Sequence, residues 1–331
     1  MNDSRFSRRS FIVSSGAAVC SLGLPGIGHA QRAGWRPTRP VRLVVPYPPG
    51  GGIDIVARFI APRMQERLSQ AIVVENRGGA VGMIGSELVY RAPADGYTYV
   101  VASADTHSIN PHVYADIRYN AREFAAAAPI ATLDYMLVGR ADLEAQTMRE
   151  VAELGKKREL TFASSGVGSS AQVVTEALKA KYGLKMLHVP YGGSGPAAAA
   201  VMGGQVDLVM LPIAIALASR TKLKIFGVAS EKRFEGAPDV PSLAEQGFPI
   251  GLEPAWIGLM APPKTPVDIL REVNLVVGEI VREPESKQRL TALGLAPYTA
   301  TLDAFASHVN DEFDRWGKVV KAAGIKADSP K

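Results

Sequence analysis

The stretch "VRLVVPYPPGGGIDIVARFI", residues 41–60, decides the fold, because a strand, a glycine loop and a helix follow one another within it. Val41–Val45 is apolar and β-branched, which is typical of a buried strand, and the prolines that follow it end the strand. Apolar residues at helical spacing then predict a helix from Ile53 to Leu68. The N–H groups at the start of that helix would point out of the loop, which favours an anion there.

The same order of strand, loop and helix recurs in "LTFASSGVGSSAQVVTEALKAKYG", residues 160–183. A strand at Leu160–Ala163 meets a Ser/Gly loop, Ser164–Ser170, which opens a helix. The two units lie about 115 residues apart, which is too far for a solenoid repeat and typical of two similar lobes that face a shared cleft. Strand-like and helical runs alternate elsewhere, so we expect an α/β fold with parallel sheets, and a turn with a short helix at residues 237–248.

The composition is that of an ordinary globular protein, with 331 residues, 47% apolar and 21% charged, and this length favours two domains. The formal net charge is +5, and the first 30 residues hold three arginines and one aspartate, which leaves about +3 for the rest. So small and scattered a charge argues against nucleic acid as a partner.

Residues 1–30 have the pattern of a signal peptide of the twin-arginine type. Arg8 and Arg9 precede an apolar stretch, and small residues at Gly28 and Ala30 suit a signal peptidase, so we expect cleavage near Ala30. A membrane anchor is the alternative, but the apolar stretch is short and interrupted. Cleavage would remove Cys20, the sole cysteine, and leave a periplasmic protein without thiol chemistry.

Other kinds of chemistry fit the glycine loops poorly. A dinucleotide site needs G-x-G-x-x-G, which Gly50 and Gly52 begin but Ile55 breaks, although Glu75 is placed to reach a ribose. A tight turn without a ligand is a further alternative. No histidines have metal-ligand spacing, and nothing nominates a base for the serines of Ser164–Ser170, so we expect no metal, no cofactor and no catalysis. Both loops lack Lys and Arg, which favours a carboxylate held by neutral donors.

Six motifs in order carry a resemblance to a known family. They are "RPVRLVVPYPPGGGIDIVARFIAPRM", "VVENRGGAVGMIGSELVYRAPADGYTYV", "THSINPHVY", "LTFASSGVGSSAQV", "HVPYGGSGPAAAAVMGGQVDLV" and "APDVPSLAEQGF". Together they resemble the Bug family, the extracytoplasmic solute-binding proteins of tripartite tricarboxylate transporters. The resemblance covers residues 39–328. It implies a two-lobed periplasmic-binding-protein fold of the Venus flytrap, type II-like kind, with lobe 1 at residues 36–137 and 227–331 and lobe 2 at residues 138–226.

The resemblance also implies a cleft in which backbone N–H groups, hydroxyls and waters hold a carboxylate. Its expected ligand-binding residues are those of the first loop, those of the second loop and a wall between them: Tyr47, Pro48, Gly50, Gly51, Gly52, Ile53 and Asp54; Ser164, Ser165, Gly166, Val167, Gly168, Ser169 and Ser170; Ser103, Thr106, His107, Tyr191 and Asp207. Asp54 could instead cap its helix. We expect Gly51 to combine close ligand approach with a positive φ. The apolar "LVMLPIAIALA" after Asp207 favours a ligand with a hydrocarbon or aromatic body.

The function implied is that of a monomeric periplasmic solute-binding protein, which captures a small organic carboxylate and delivers it to the membrane permease subunits of its transporter. The alternatives are an exported cofactor-dependent enzyme, since the twin-arginine route exports folded proteins, and a ligand sensor built on the same fold.

Overall fold

A computed structural model describes residues 34–327. The predicted signal peptide lies outside the described residues. The strands are β1 (Val41–Val45), β2 (Ile72–Asn76), β3 (Thr98–Ser103), β4 (Ala125–Leu133), β5 (Tyr135–Arg140), β6 (Leu160–Ser164), β7 (Met186–Pro190), β8 (Leu208–Pro212), β9 (Leu223–Val228), β10 (Ala255–Ala261) and β11 (Leu295–Pro297).

The helices are α1 (Gly52–Leu68), α2 (Met83–Tyr90), α3 (Asn110–Val113), α4 (Met148–Lys157), α5 (Ser170–Tyr182), α6 (Ser194–Met202), α7 (Ile213–Ala218), α8 (Val267–Arg282), α9 (Pro284–Ala292) and α10 (Leu302–Ala322). A π-helical turn, Asp105–Ile109, leads into α3. The segment 237–248 forms turns, so the short helix predicted there is wrong. Within residues 34–327 no helix is both long and apolar enough to cross a membrane.

The strands form two sheets with the same internal order. The first sheet runs β11-β4-β10-β3-β1-β2 and the second runs β7-β6-β8-β5-β9. In each, the strand that carries the glycine loop, β1 or β6, lies between two parallel neighbours. In each, too, one strand that arrives from the other sheet, β10 or β5, pairs antiparallel with both of its neighbours. Both sheets are therefore mixed, with parallel pairs around β1 and β6 as expected, because the crossing strand runs antiparallel to its neighbours.

The chain passes between the sheets twice. Asp134 alone separates β4 in the first sheet from β5 in the second. The return follows β9, through residues 229–254, and leads into β10. The expected lobe boundaries at residues 137/138 and 226/227 fall inside β5 and β9, two strands of the second sheet. The lobe assignment stays a prediction.

The apolar face of α1 fixes where the first loop lies. Val56, Ile60, Met64 and Leu68 are buried at helical spacing, as predicted, and pack with β1 and β3 in the core of the first sheet. Burial of each such side chain contributes on the order of 1.5–3 kcal/mol. The start of α1, and with it the loop, is therefore fixed at the carboxyl end of β1.

Candidate ligand-binding site

Loop 1, residues 46–51, joins β1 to α1 at the position where open α/β sheets bind ligands. The chain leaves β1 towards β2 on one side, while β3 lies on the other side, so the carboxyl end of β1 is a topological switch point. The backbone from Pro48 to Gly52 is exposed. Among the described residues no acceptor pairs with the N–H groups of Gly51, Gly52 and Ile53. These donors at the positive end of α1 suit an anion.

Gly50, and not Gly51, has the backbone conformation that favours glycine in loop 1. Gly50 has φ +85°, whereas Gly51, the N-cap of α1, has φ −78° and ψ 166°. The prediction of a positive φ at Gly51 is therefore wrong. A Cβ added to Gly51 would meet only the carbonyl oxygen of Pro48, at 3.7 Å, and one added to Gly52 would meet nothing within 4 Å. The space beside both residues is open to a ligand.

Asp54 organises loop 1 from within. Its Oδ2 accepts hydrogen bonds from Gly50 N (2.9 Å) and Arg58 Nε (2.9 Å), and its Oδ1 accepts one from Asn76 Nδ2 (2.8 Å). Burial alone would raise the pKa of Asp54, but these hydrogen bonds outweigh burial and lower it. Of the two roles open for Asp54, the contacts favour the structural one, because both carboxylate oxygens are bonded to the loop and its neighbours.

The wall beside loop 1 is lined on the outside by Tyr47 and supported by residues that are fully buried. Tyr47 is partly exposed, and its hydroxyl lies 3.4 Å from Ser103 Oγ. Thr106 Oγ1 donates to Ser103 O (3.1 Å) and lies 2.9 Å from His107 Nδ1. The side chains of Thr106 and His107 have no exposed surface, so they form the back of the wall.

His107 belongs to an aromatic core. Its ring centroid lies 4.5 Å from that of Phe124, 5.9 Å from that of Tyr119 and 6.1 Å from that of Trp256. Burial lowers the pKa of His107 to about 3, so the ring is neutral at physiological pH. Its Nε2 is buried without a hydrogen-bond partner among the described residues.

Loop 2, residues 165–169, joins β6 to α5, and most of its hydrogen bonds are made within the loop and to the start of α5. Ser169, the N-cap of α5, donates from Oγ to Gly166 O (2.8 Å) and accepts from Gln172 N (3.4 Å). The side chain of Gln172 accepts from Gly168 N (2.8 Å). Ser164 Oγ bonds the backbone of Gly166 and lies 2.7 Å from His188 Nε2. Ser165 is partly exposed at the surface of the loop, as is Tyr191, whose N–H donates to Ser164 O (3.0 Å).

Two contacts tie loop 2 and α5 to segments that follow β3. The hydroxyl of Tyr114 donates to Val167 O at 2.8 Å. The carboxylate of Asp105 accepts from Ser170 N at 3.1 Å and from Ser170 Oγ. Asp105 therefore occupies the N-terminus of α5 from the opposite side of the site. Burial raises the pKa of Asp105, against the effect of the hydrogen bonds from Ser170.

Asp207 is not brought to the site. It precedes β8 and accepts hydrogen bonds from Thr161 N (2.9 Å), Arg140 Nε (3.1 Å) and Arg158 Nη1 (3.3 Å). Thr161 lies near the amino end of β6, three residues and roughly 10 Å before Ser164. Asp207 therefore lies at the far end of the second sheet, and its place in the wall is a correction to the expected site.

Sequence reasoning missed Asp105, Tyr114, Asn76 and the pairing of His188 with Ser164. One signal for Asp105 exists, since it is the sole acidic residue between Val100 and Pro111 and directly precedes the "THSINPHVY" motif. Glu75, weighed as a ribose ligand, pairs with Arg42 and Arg77. Two depressions, of about 430 and 440 Å³, lie elsewhere and contain no residue of either loop. The first lies beside residues 65–71, and the second is lined by residues 39–42, 88–93 and 95–98. Residues 34–327 contain no cluster of three His, Cys, Asp or Glu side chains suited to a metal ion.

Two α/β sheets of one strand order, each with a glycine loop at the carboxyl end of an interior strand, define a two-lobed binding protein of the periplasmic type. The family model "Tripartite tricarboxylate transporter family receptor" matches residues 56–325. The chain belongs to this family, which includes the Bug proteins. The resemblance seen in the sequence motifs is thereby confirmed, as is the two-lobed α/β fold.

Relatives and solved structures agree with this assignment. The chain is 31% identical to Protein BugT of Bordetella pertussis over 311 residues, which is 92% of this chain and 95% of BugT. It is similar to the R. palustris protein Rpa4515, solved with adipate (TM-score 0.81, 31% identity, 88% of this chain and 99% of that one). It is also similar to MatC of Rhodopseudomonas palustris, solved with malate (TM-score 0.76, 31% identity, 86% and 99%).

Proposed function

We propose that this protein is a periplasmic solute-binding protein that captures a small organic carboxylate and delivers it to the membrane permease of a tripartite tricarboxylate-type transporter. Family membership supports the transport role, and the adipate and malate held by similar structures support the ligand class. The enzyme alternative is not favoured by these relatives. No feature of residues 34–327 specifically favours a ligand sensor built on the same fold.

The observation that carries the proposal is the set of backbone donors in loop 1. The N–H groups of Gly51, Gly52 and Ile53 have no partner among the described residues and open onto exposed space at the start of α1. A carboxylate there would receive fixed backbone dipoles, and loop 1 itself contains no Lys or Arg. Donors that are fixed before the ligand arrives cost little ordering on binding. Closure of the two lobes over the ligand would present the bound form to the permease.

Capture without chemical change also fits the serine beside His188. A nucleophilic serine must reach a substrate, but Ser164 is fully buried. Burial lowers the pKa of His188 to about 4, and among residues 34–327 no carboxylate hydrogen-bonds its ring. We therefore assign the Ser164–His188 pair to the support of loop 2.

A thermal-shift screen of the mature protein tests the ligand class. We expect stabilisation by one or more mono- or dicarboxylates of four to eight carbons, or by aromatic ones, and none by sugars, phosphates or simple amines. A ligand at about 100 times its Kd adds roughly 2.7 kcal/mol to the free energy of unfolding. Conversion of the carboxylate of a hit into its amide should abolish the shift, since the amide NH2 would face N–H donors. A sugar or phosphate as the best ligand would refute the proposal.

Export by the twin-arginine route is the part of the proposal that concerns residues 1–30. Changing both Arg8 and Arg9 to Lys should leave the precursor in the cytoplasm, whereas Arg5→Lys should not. Mass spectrometry of the periplasmic protein should place its first residue near Gln31. Normal periplasmic accumulation of the double variant would assign the general secretory route instead. Native mass spectrometry should find a monomer.

A further inference from the structure

The two helix starts of the site differ in what they offer a ligand. At α1 the backbone donors of Gly51, Gly52 and Ile53 are unpaired among the described residues, Gly51 and Gly52 are exposed, and Ile53 is partly exposed. At α5 most of the corresponding donors are taken: Ser169 N by Gly166 O (3.3 Å), and Ser170 N and Oγ by Asp105, while Ala171 N has no acceptor among the described residues. Ser169 and Ser170 are buried. Two loops that look alike in sequence therefore do not form two equal anion sites.

Asp105 brings a carboxyl group from the segment after β3 to the start of α5. Both of its hydrogen bonds use Oδ1, and none among the described residues reaches Oδ2. The residue is partly exposed and forms no salt bridge with any Lys, Arg or His of residues 34–327. Burial and then the charge of Asp105 raise the pKa of Tyr47, whose side chain lines the wall of loop 1, and of Tyr114 beside loop 2. The segment that carries Asp105 thus contacts both sides of the site, with Ser103 Oγ 3.4 Å from the Tyr47 hydroxyl and Asp105 itself bonded to Ser170.

We propose that Asp105 determines ligand specificity by filling the second anion position of the site with the protein's own carboxylate. This inference rests on the proposed function and narrows its ligand class. The ligand presents one carboxylate to loop 1, and its other end donates a hydrogen bond, from a hydroxyl or an ammonium group, to Oδ2 of Asp105. A dicarboxylate of the same length would place its second charge against Asp105, or would have to displace Asp105 from Ser170, and either alternative lowers affinity.

Matched ligands of equal chain length test the inference by isothermal titration calorimetry. The six-carbon set is adipate, 6-hydroxyhexanoate, 6-aminohexanoate and hexanoate, and the corresponding four-, five- and eight-carbon sets follow. For the length that binds best, wild-type protein should prefer the hydroxy or amino acid to the dicarboxylate by at least tenfold, about 1.4 kcal/mol. Comparison of the hydroxy acid with the amino acid shows whether the preferred donor is neutral or cationic.

Two substitutions then locate the preference at Asp105. Asp105→Ala frees Ser170 N and Oγ, so dicarboxylate affinity should rise at least tenfold and the preference for an ammonium end should vanish. Asp105→Asn keeps an acceptor for Ser170 N, protects the fold if the alanine variant melts early, and should lose the ammonium preference alone. Asp268→Asn, at a side chain that is 81% exposed in α8, removes one charge elsewhere and should change neither affinity.

The outcomes separate the two proposals. If wild-type protein binds a dicarboxylate best and Asp105→Ala fails to improve that binding, Asp105 does not set specificity, and the proposed carboxylate receptor stands. If neither the wild type nor any variant binds a carboxylate of any length, both proposals fail together.

Discussion

Asn76 and Asp54 are joined by a hydrogen bond of 2.8 Å between Nδ2 and Oδ1, and the same Asn76 amide donates to the carbonyl oxygen of Tyr47 at 3.1 Å. Asn76 is the last residue of β2, so one side chain fastens loop 1 to the edge strand of the first sheet. The donors of loop 1 are therefore held in place by a residue that is not itself part of the loop.

Replacement of Asn76 by Ala should weaken ligand binding about tenfold, because the N–H groups of loop 1 would have to be ordered when the ligand binds. The lost hydrogen bonds should also lower the free energy of unfolding by about 1–2 kcal/mol. Calorimetric titration with the best carboxylate and urea unfolding measure the two effects. Asn310→Ala, which removes an exposed hydrogen bond within α10, is the matched control. If Asn76→Ala binds the ligand as tightly as the wild type, Asn76 does not hold the donors of loop 1 in place for binding.

Gly51→Ser should distinguish the effect of Gly51 on helix stability from its effect on ligand binding. Serine is a better N-cap than glycine, and the backbone at φ −78° accepts it without strain, so stability should stay equal or rise by a few tenths of a kcal/mol. Its hydroxyl would accept from the N–H groups that the ligand needs, so affinity should fall at least tenfold. Thermal unfolding with and without ligand reports both quantities.

The adjacent Gly50→Ala gives the opposite expectation for stability. At φ +85° an alanine costs roughly 1–2 kcal/mol, although nothing lies within 4 Å of the new Cβ. A Gly51→Ser variant that unfolds as early as Gly50→Ala would show that the backbone of loop 1 is strained at both positions.

Burial of neutral His107 should make the protein sensitive to acid. The pKa is about 3 in the folded protein and about 6.5 when unfolded, so the unfolded state binds the additional proton between these values. Stability therefore falls as pH decreases from 6.5 towards 3, by at most about 1.4 kcal/mol per pH unit. Urea unfolding from pH 7.5 to 4.5 should show a shallower decrease in His107→Gln than in the wild type. Equal slopes would mean that His107 is protonated in the fold.

Asp134 should change the pH dependence of stability in the opposite direction to His107. Burial raises its pKa to about 6, above the unfolded value of about 3.9, so its ionised form destabilises the fold above pH 6. Two pKa units correspond to a destabilisation of about 3 kcal/mol, which is fully present above pH 6 and disappears as pH falls from 6 to about 3.9. Asp134→Asn should therefore be more stable than the wild type at pH 7.5, by up to that amount, with the difference gone near pH 4. A less stable variant at pH 7.5 would indicate that ionised Asp134 has a favourable partner.

Elements with a strong local pattern were predictable with their bounds. The β-branched Val41–Val45 forms β1 with the predicted ends, and the helix predicted at Ile53–Leu68 begins one residue earlier, at Gly52. The strand β4 was not predicted, because its "AAAAPIATL" lacks β-branched and aromatic residues along most of its length. Its conformation depends on pairing with β10 and β11, which lie more than 120 residues further along the chain.

In the candidate site, too, the local features were predictable from the sequence and the long-range contacts were not. Glycine loops before helices are local features, so both were found from the sequence. Which donors remain free is not local: the N-terminus of α5 is filled by Asp105, 65 residues away, and no pattern near Ser170 indicates it. Asp207 was misplaced for a simpler reason. A residue that precedes a parallel strand lies at its amino end, away from the loops that form the site.

The place of β10 has a consequence for the order in which the chain can assemble. The second sheet uses only the continuous stretch from Tyr135 to Val228, so all its strands are synthesised before β10. The first sheet cannot close before then, since β4 touches β3 only through β10, which is inserted between them. Loop 1 thus lies on an incomplete sheet during synthesis, and the lobe whose synthesis starts first is completed last.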